Sequence, residues 1–114
     1  MPRVILALGL ALVAASARAA EPGDAHHGQK LIAATGCGAC HSIPGIAGAR
    51  GLVGPPLDNI GARTMLAGLL PNTRDNMIRW LRSPQGVVPG NAMPDTALSE
   101  GDAADIAAYL ATLK

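Results

Sequence analysis

The chain has no phenylalanine, one tryptophan (Trp80) and one tyrosine (Tyr109), so aromatics make up 2% of its 114 residues. The usual large core-fillers are nearly absent, and a core of aliphatic side chains alone is modest in a domain of this size. There are only two cysteines, Cys37 and Cys40. That excludes a framework of several disulfides, and one bridge across two intervening residues would close too small a loop to stabilise much. It also excludes a zinc site built on two Cys/His pairs. No sustained apolar–polar alternation occurs, so strand signals are weak throughout. Charge of either sign is scarce: nine Lys and Arg stand against eight Asp and Glu. Near balance argues against nucleic acid or an anionic membrane as partner. A small chain with so few large side chains needs another element to staple it together.

What is present begins with a leader. Arg3 gives a positive start, residues 4–15 are apolar, and Ala17-Arg18-Ala19 has the A-x-A form of a cleavage site. The apolar run is short for a membrane span of about 20 residues. Residues 1–19 are therefore expected to be a signal peptide, and residues 20–114 one domain exported from the cytoplasm. Cleavage would remove Arg3 and Arg18 and leave the charge close to balance.

The deciding feature is Cys37-Gly38-Ala39-Cys40-His41. C-x-x-C-H is the attachment signature of c-type haem. Each thiol can form a thioether to one porphyrin vinyl group, and the adjacent His is held beneath the iron as its first axial ligand. The competing reading is a thioredoxin-like C-x-x-C whose thiol pKa the His lowers. That reading wants a βαβ context, and no β-rich segment adjoins the motif. A covalently held porphyrin would also be the missing staple.

Three helical segments stand out. In the first, Asp24 is the expected N-cap, Gly28, Leu31, Ile32 and Thr35 recur at helical spacing, and Gly36 is the expected stop. In the second, Asn72-Thr73-Arg74-Asp75 has capping-box character with Asp75 three residues after Asn72; Met77, Ile78, Trp80 and Leu81 form an apolar face, and Pro84 ends the run. In the third, Ser99 is the N-cap with Asp102 at N3, and Ile106, Tyr109, Leu110 and Leu113 share a face. Residues 42–59 and 83–98 are rich in Gly and Pro and read as loops. Gly28 and Ile32 are expected to pack against Tyr109 and Leu110, because a glycine on an apolar stripe lets another helix pass close by.

A second axial ligand decides whether such an iron passes electrons or binds small molecules. Met93 lies in Val87-Val88-Pro89-Gly90-Asn91-Ala92-Met93-Pro94, a proline-bracketed loop stiff enough to hold a weak thioether donor. Met77 and Met65 read as core, and His26 and His27 as solvated. A peroxidase or gas-binding protein would leave the distal face open; a disulfide oxidoreductase would keep its thiols free.

In this order of motifs the sequence resembles a class I c-type cytochrome over nearly all of residues 20–114. The resemblance rests on Cys37-x-x-Cys40-His41, Gly54-Pro55-Pro56-Leu57, Pro89-Gly90-x-x-Met93-Pro94 and a final helix with Ala108-Tyr109-Leu110. It implies an all-α fold in which the N- and C-terminal helices pack together around one haem c, with His41 and Met93 on the iron. It implies that the Pro55 carbonyl accepts a hydrogen bond from His41, that Leu57 lines the crevice, that Arg63 faces a propionate and that Trp80 lies near the Met ligand. Residues 70–84 and 89–94 are similar, more narrowly, to the cytochrome c domain fused to subunit II of some haem–copper terminal oxidases. The implied role is a periplasmic one-electron carrier rather than an enzyme, with a respiratory terminal oxidase or a quinol–cytochrome c reductase type complex as partner. Lys30 and Lys114 are the only lysines, so a lysine-ringed docking face is absent; Arg50, Arg74, Arg79 and Arg82 offer positive charge instead.

Overall fold

A computed structural model describes residues 23–114. The expected leader, residues 1–19, lies outside them. Helix α1 (Ala25–Thr35) starts where the sequence predicts: Asp24 is extended, and its carboxylate accepts the His27 N–H at 3.1 Å. That satisfies one of the amides a helix start leaves without an internal partner. Gly36 ends the helix in the left-handed conformation, φ 78°. A 3₁₀ turn (Cys37–Ala39) follows, then a long irregular loop with one isolated bridge between Ser42 and Arg50. A second 3₁₀ turn (Ile60–Ala62) leads to a small antiparallel hairpin, β1 (Met65–Leu66) and β2 (Leu70–Pro71), in which Leu66 faces Leu70. Helices α2 (Arg74–Arg82), α3 (Pro84–Val87) and α4 (Glu100–Leu110) complete the order.

Three local expectations need correction. The N-cap of α2 is Thr73, whose hydroxyl accepts the Asn76 N–H at 3.2 Å. Asn72 has other work: its side-chain amide donates to the carbonyls of Ile60 and Arg63, tying the preceding loop to the helix start. Residues 83–98 are not all loop: Pro84 ends α2 as expected but also begins α3 (Pro84–Val87). It occupies the first position of α3, where a missing N–H costs nothing. Met65 is not core but 44% exposed, because successive strand residues alternate faces and Leu66 takes the inner one.

The core is aliphatic. Ile32 and Ile106 are each 1% exposed, and Ile43, Ile60, Leu66, Met77, Ile78, Leu81 and Leu110 join them. Met77 is the core residue the sequence indicates. Helices α1 and α4 approach backbone to backbone at Gly28. A Cβ built on Gly28 would lie 1.9 Å from the Asp105 carbonyl oxygen and 2.8 Å from the Ile106 nitrogen. Gly28 therefore packs on the backbone of α4 about one turn earlier than the expected Tyr109 and Leu110. Small residues on α4 (Ala103, Ala104 and Ala107, all buried) keep the two helices close.

An ion pair reinforces the same crossing. His27 Nδ1 lies 2.6 Å from Asp105 Oδ2, and the Asp24 N–H donates to Asp105 Oδ1 at 2.7 Å. His27 is thus exposed yet partnered, not merely solvated. The bond to Asp105 raises the His27 pKa above its ordinary 6.5, and the bond from His27 lowers that of Asp105 below 3.8. Among the described residues no helix is long and apolar enough to cross a membrane.

Two predictions follow from this helix pair. Gly28→Ala forces a methyl group into α4 backbone and is expected to destabilise the protein by about 1–3 kcal/mol in chemical denaturation, against the usual helix-propensity gain. His27 favours the folded state below pH 6.5 and loses that effect as pH rises through its raised folded value; Asp105 favours it above 3.8 and loses the effect as pH falls through its lowered value. The stability difference between wild type and His27→Gln should be largest between those two pH values and vanish in alkali. A difference independent of pH would contradict the pairing.

Candidate functional site

Helix α1 delivers the motif. Cys37 opens the 3₁₀ turn, and the His41 N–H donates to the Cys37 carbonyl at 3.0 Å, so the turn is closed on itself. Both thiols are free and half-buried, with Cys37 Sγ 3.3 Å from the Thr35 hydroxyl. The motif lies between a helix and an irregular loop, without the strand–helix context of a thioredoxin-like site.

The loop after the motif is fastened to it by backbone hydrogen bonds. The Gly51 N–H donates to the carbonyls of Gly38 and His41, the Gly54 N–H to Cys40 at 2.7 Å, and the Leu57 N–H to Ser42 at 2.8 Å. Carbonyls of the motif thus serve as the docking strip for residues 51–57. Leu52 and Val53, between two of these anchors, point outward and are 93% and 69% exposed; backbone bonding rather than side-chain burial holds this stretch. The loop is braced from two more sides. Tyr109 on α4 donates its hydroxyl to the Pro44 carbonyl at 2.6 Å, and Gln29 on α1 donates to Gly45 at 2.9 Å.

The result is the orientation of His41. Its Nδ1 lies 2.8 Å from the Pro55 carbonyl oxygen. A carbonyl can only accept, so Nδ1 carries the hydrogen and Nε2 keeps its lone pair. Gly54 makes room for the ring: a Cβ there would lie 2.3 Å from His41 Cε1. Arg63 works on the same loop. Its guanidinium donates to the carbonyls of Pro56 and Asp58, so in the protein alone it braces the turn that carries Pro55 and Leu57.

Met93 belongs to a second network. It is partly buried against the core, in a loop held by the side-chain amides of Gln85 and Asn91. Leu57 and Trp80 are likewise partly buried against the core, and the Trp80 indole N–H makes no hydrogen bond among the described residues. The structure thus joins His41 and Pro55 directly and places Arg63 and Leu57 on the loop they share. Met93 and Trp80 come from other elements. The sequence does not single out Gln85 or Asn91, for which an amide side chain inside a Gly/Pro-rich loop is the available signal, since such residues bond locally to backbone; it marks Asn72 only as a cap and not for its bonds to Ile60 and Arg63.

Two free thiols at the end of a helix, with an adjacent imidazole whose outer nitrogen is left to donate, fit a covalently attached haem. The family model described as cytochrome c matches residues 25–114. This chain belongs to the cytochrome c family. Cytochrome c oxidase subunit 2 of Alkalihalophilus pseudofirmus is 36% identical over 102 residues, covering 87% of this chain and 29% of that protein. The cytochrome chain thus spans under a third of that relative's length. Among solved structures, SoxXA from P. pantotrophus superposes with a TM-score of 0.66 at 21% identity, covering 82% of this chain and 84% of the other. Cytochrome c2 from Rhodobacter sphaeroides gives 0.60 at 22% identity, covering 80% and 96%. The cytochrome c fold is the expected all-α architecture, with the small β1–β2 hairpin as an addition. Membership of the family implies covalent haem c at Cys37 and Cys40 and a role as electron carrier.

Gly54→Ala tests the geometry around His41. The added methyl group must displace the ring and break the bond to Pro55. The expected outcome is loss of the slowly exchanging imidazole Nδ1–H signal in proton NMR of the haem-loaded protein, with a stability loss of about 1–3 kcal/mol. Retention of that signal at its wild-type position would show that the ring tolerates the intrusion.

Proposed function

We propose that this cytochrome is a periplasmic one-electron carrier with His41 and Met93 as axial ligands, delivering electrons to a respiratory terminal oxidase. The observation that carries the reading is the bond from His41 Nδ1–H to Pro55 inside a C-x-x-C-H motif. It presents one imidazole nitrogen outward and makes that nitrogen a better donor by sharing the opposite proton with a carbonyl. When bound, haem c supplies the one-electron couple of its iron, and the chain's own residues hold and shield it.

Cys37 and Cys40 hold the group by thioethers. His41 supplies the strong donor. Met93 would supply the weak one, and a thioether ligand would favour the reduced state relative to harder donors. With both ligands supplied by the protein, the iron would exchange electrons without taking up a substrate. Leu57 and Trp80 provide apolar surface that excludes water and further disfavours added charge. Arg63 holds the Pro55 loop and has a charge to offer a propionate. The oxidase is supported by the relative of Alkalihalophilus pseudofirmus, whose name is that of an oxidase subunit. A quinol–cytochrome c reductase type complex is the corresponding electron donor. The periplasm is supported by the leader-like residues 1–19 and by the motif.

Visible spectra of the protein matured with its haem test the reading. Wild type should be low-spin with a far-red sulfur-to-ferric-iron band. Met93→Ala should lose that band and let the reduced protein bind carbon monoxide. A wild-type spectrum that is high-spin and shifts with carbon monoxide would overturn the reading in favour of an open distal face. Oxidation of the reduced wild-type protein by a purified terminal oxidase tests the partner separately.

A further inference from the structure

Gln85 is the second residue of α3, half-buried, and every side-chain hydrogen bond it makes goes to the backbone around Met93. Its Nε2 donates to the Asn91 carbonyl at 2.8 Å and to the Met93 carbonyl at 2.8 Å. Its Oε1 accepts the Gly90 N–H at 2.9 Å. Two carbonyls on one end and an N–H on the other leave one sensible orientation of the amide. The Gln85 backbone N–H donates to Asp95 at 3.0 Å, which ties the far side of the loop to the same point. Asn91 completes the frame. Its Nδ2 donates to the carbonyls of Pro84 and Val88, and its Oδ1 accepts the Met93 N–H at 2.7 Å.

Both backbone groups of Met93 are therefore held by side-chain amides, the N–H by Asn91 and the carbonyl by Gln85. No helix or strand holds this residue. A segment lacking regular structure is ordinarily free to open locally. A thioether is also a weak donor that cannot by itself order a loop. We infer that Gln85, with Asn91, is a positioning residue for Met93, setting how firmly its sulfur is held against the iron. The inference rests on the reading of Met93 as an axial ligand. It assigns to two neutral amides the control of how easily that ligand is displaced.

The test uses the haem-loaded protein, with imidazole as the competing ligand for the ferric state. Gln85→Leu keeps side-chain size and removes all three bonds. Gln85→Glu keeps the acceptor for Gly90 and removes both donors. In each, imidazole is expected to bind about tenfold more tightly than in wild type, with a weakened far-red band at neutral pH, as loss of roughly one net hydrogen bond to the loop would give. The deciding comparison is a double-mutant cycle. In a Met93→Ala background, Gln85→Leu should leave imidazole affinity unchanged within about twofold, because the residue through which it acts is gone. Equal effects of Gln85→Leu in both backgrounds would show a general structural role and overturn the inference. So would wild-type affinity and a wild-type band in both Gln85 variants while Met93→Ala loses the band; the ligand assignment would then stand. If Met93→Ala keeps the far-red band, the ligand assignment itself fails and the inference falls with it. Should Gln85→Leu fail to mature, Gln85→Glu differs by a single terminal atom and carries the same comparison.

Discussion

Two helices can meet backbone to backbone only where one of them has no side chain. Gly28 supplies that gap, and the Asp105–Ile106 peptide of α4 fills it. The rest of the molecule is arranged around this contact. It sets the axis of α1, and hence the direction in which the chain leaves Gly36 and enters the Cys37 turn. It brings Tyr109 of α4 and Gln29 of α1 to the same side, where both reach the loop after the motif. The alanines of α4 and the near absence of aromatic side chains suit this closeness, since large residues would hold the helices apart.

From that crossing outward, order is built increasingly from backbone and amide hydrogen bonds rather than from burial. The motif turns its carbonyls toward residues 51–57, and those residues bring Pro55 to His41. Met93 itself lies in no sheet or helix, and two amide side chains, one of them from α3, hold its backbone. A small aliphatic core could not immobilise two long loops by packing alone. The two loops that bracket the candidate site are therefore held in different ways, one by backbone on backbone and the other by side chain on backbone.

The parts of this fold readable in the sequence are those governed by local chemistry. Asp24 and Ser99 cap α1 and α4 as expected, because a capping side chain and the amide it serves are neighbours in the chain. The C-x-x-C-H motif and the Gly54-Pro55 segment were readable for the same reason in combination with the family resemblance. Errors arise where adjacent residues compete or distant ones decide. Asn72 and Thr73 are both good caps, and only the tertiary bonds from Asn72 to Ile60 and Arg63 settle the choice in favour of Thr73. The β1–β2 hairpin is too short to show alternation, and its turn uses Ala67 and Gly68, both at positive φ, in place of an Asn-Gly signal. Gln85 carried only the weak signal of an amide in a Gly/Pro-rich loop, because its partners are backbone atoms, which every sequence contains.

Helix α1 also separates two points of the molecule. Its eleven residues put roughly 16 Å between its first turn and the Cys37 turn. Gly23, just ahead of it, rests on the Ala104 carbonyl of α4, at the end of α1 remote from the motif. Gly23 thus meets α4 at the helix crossing, a full helix length away from the Cys37 turn.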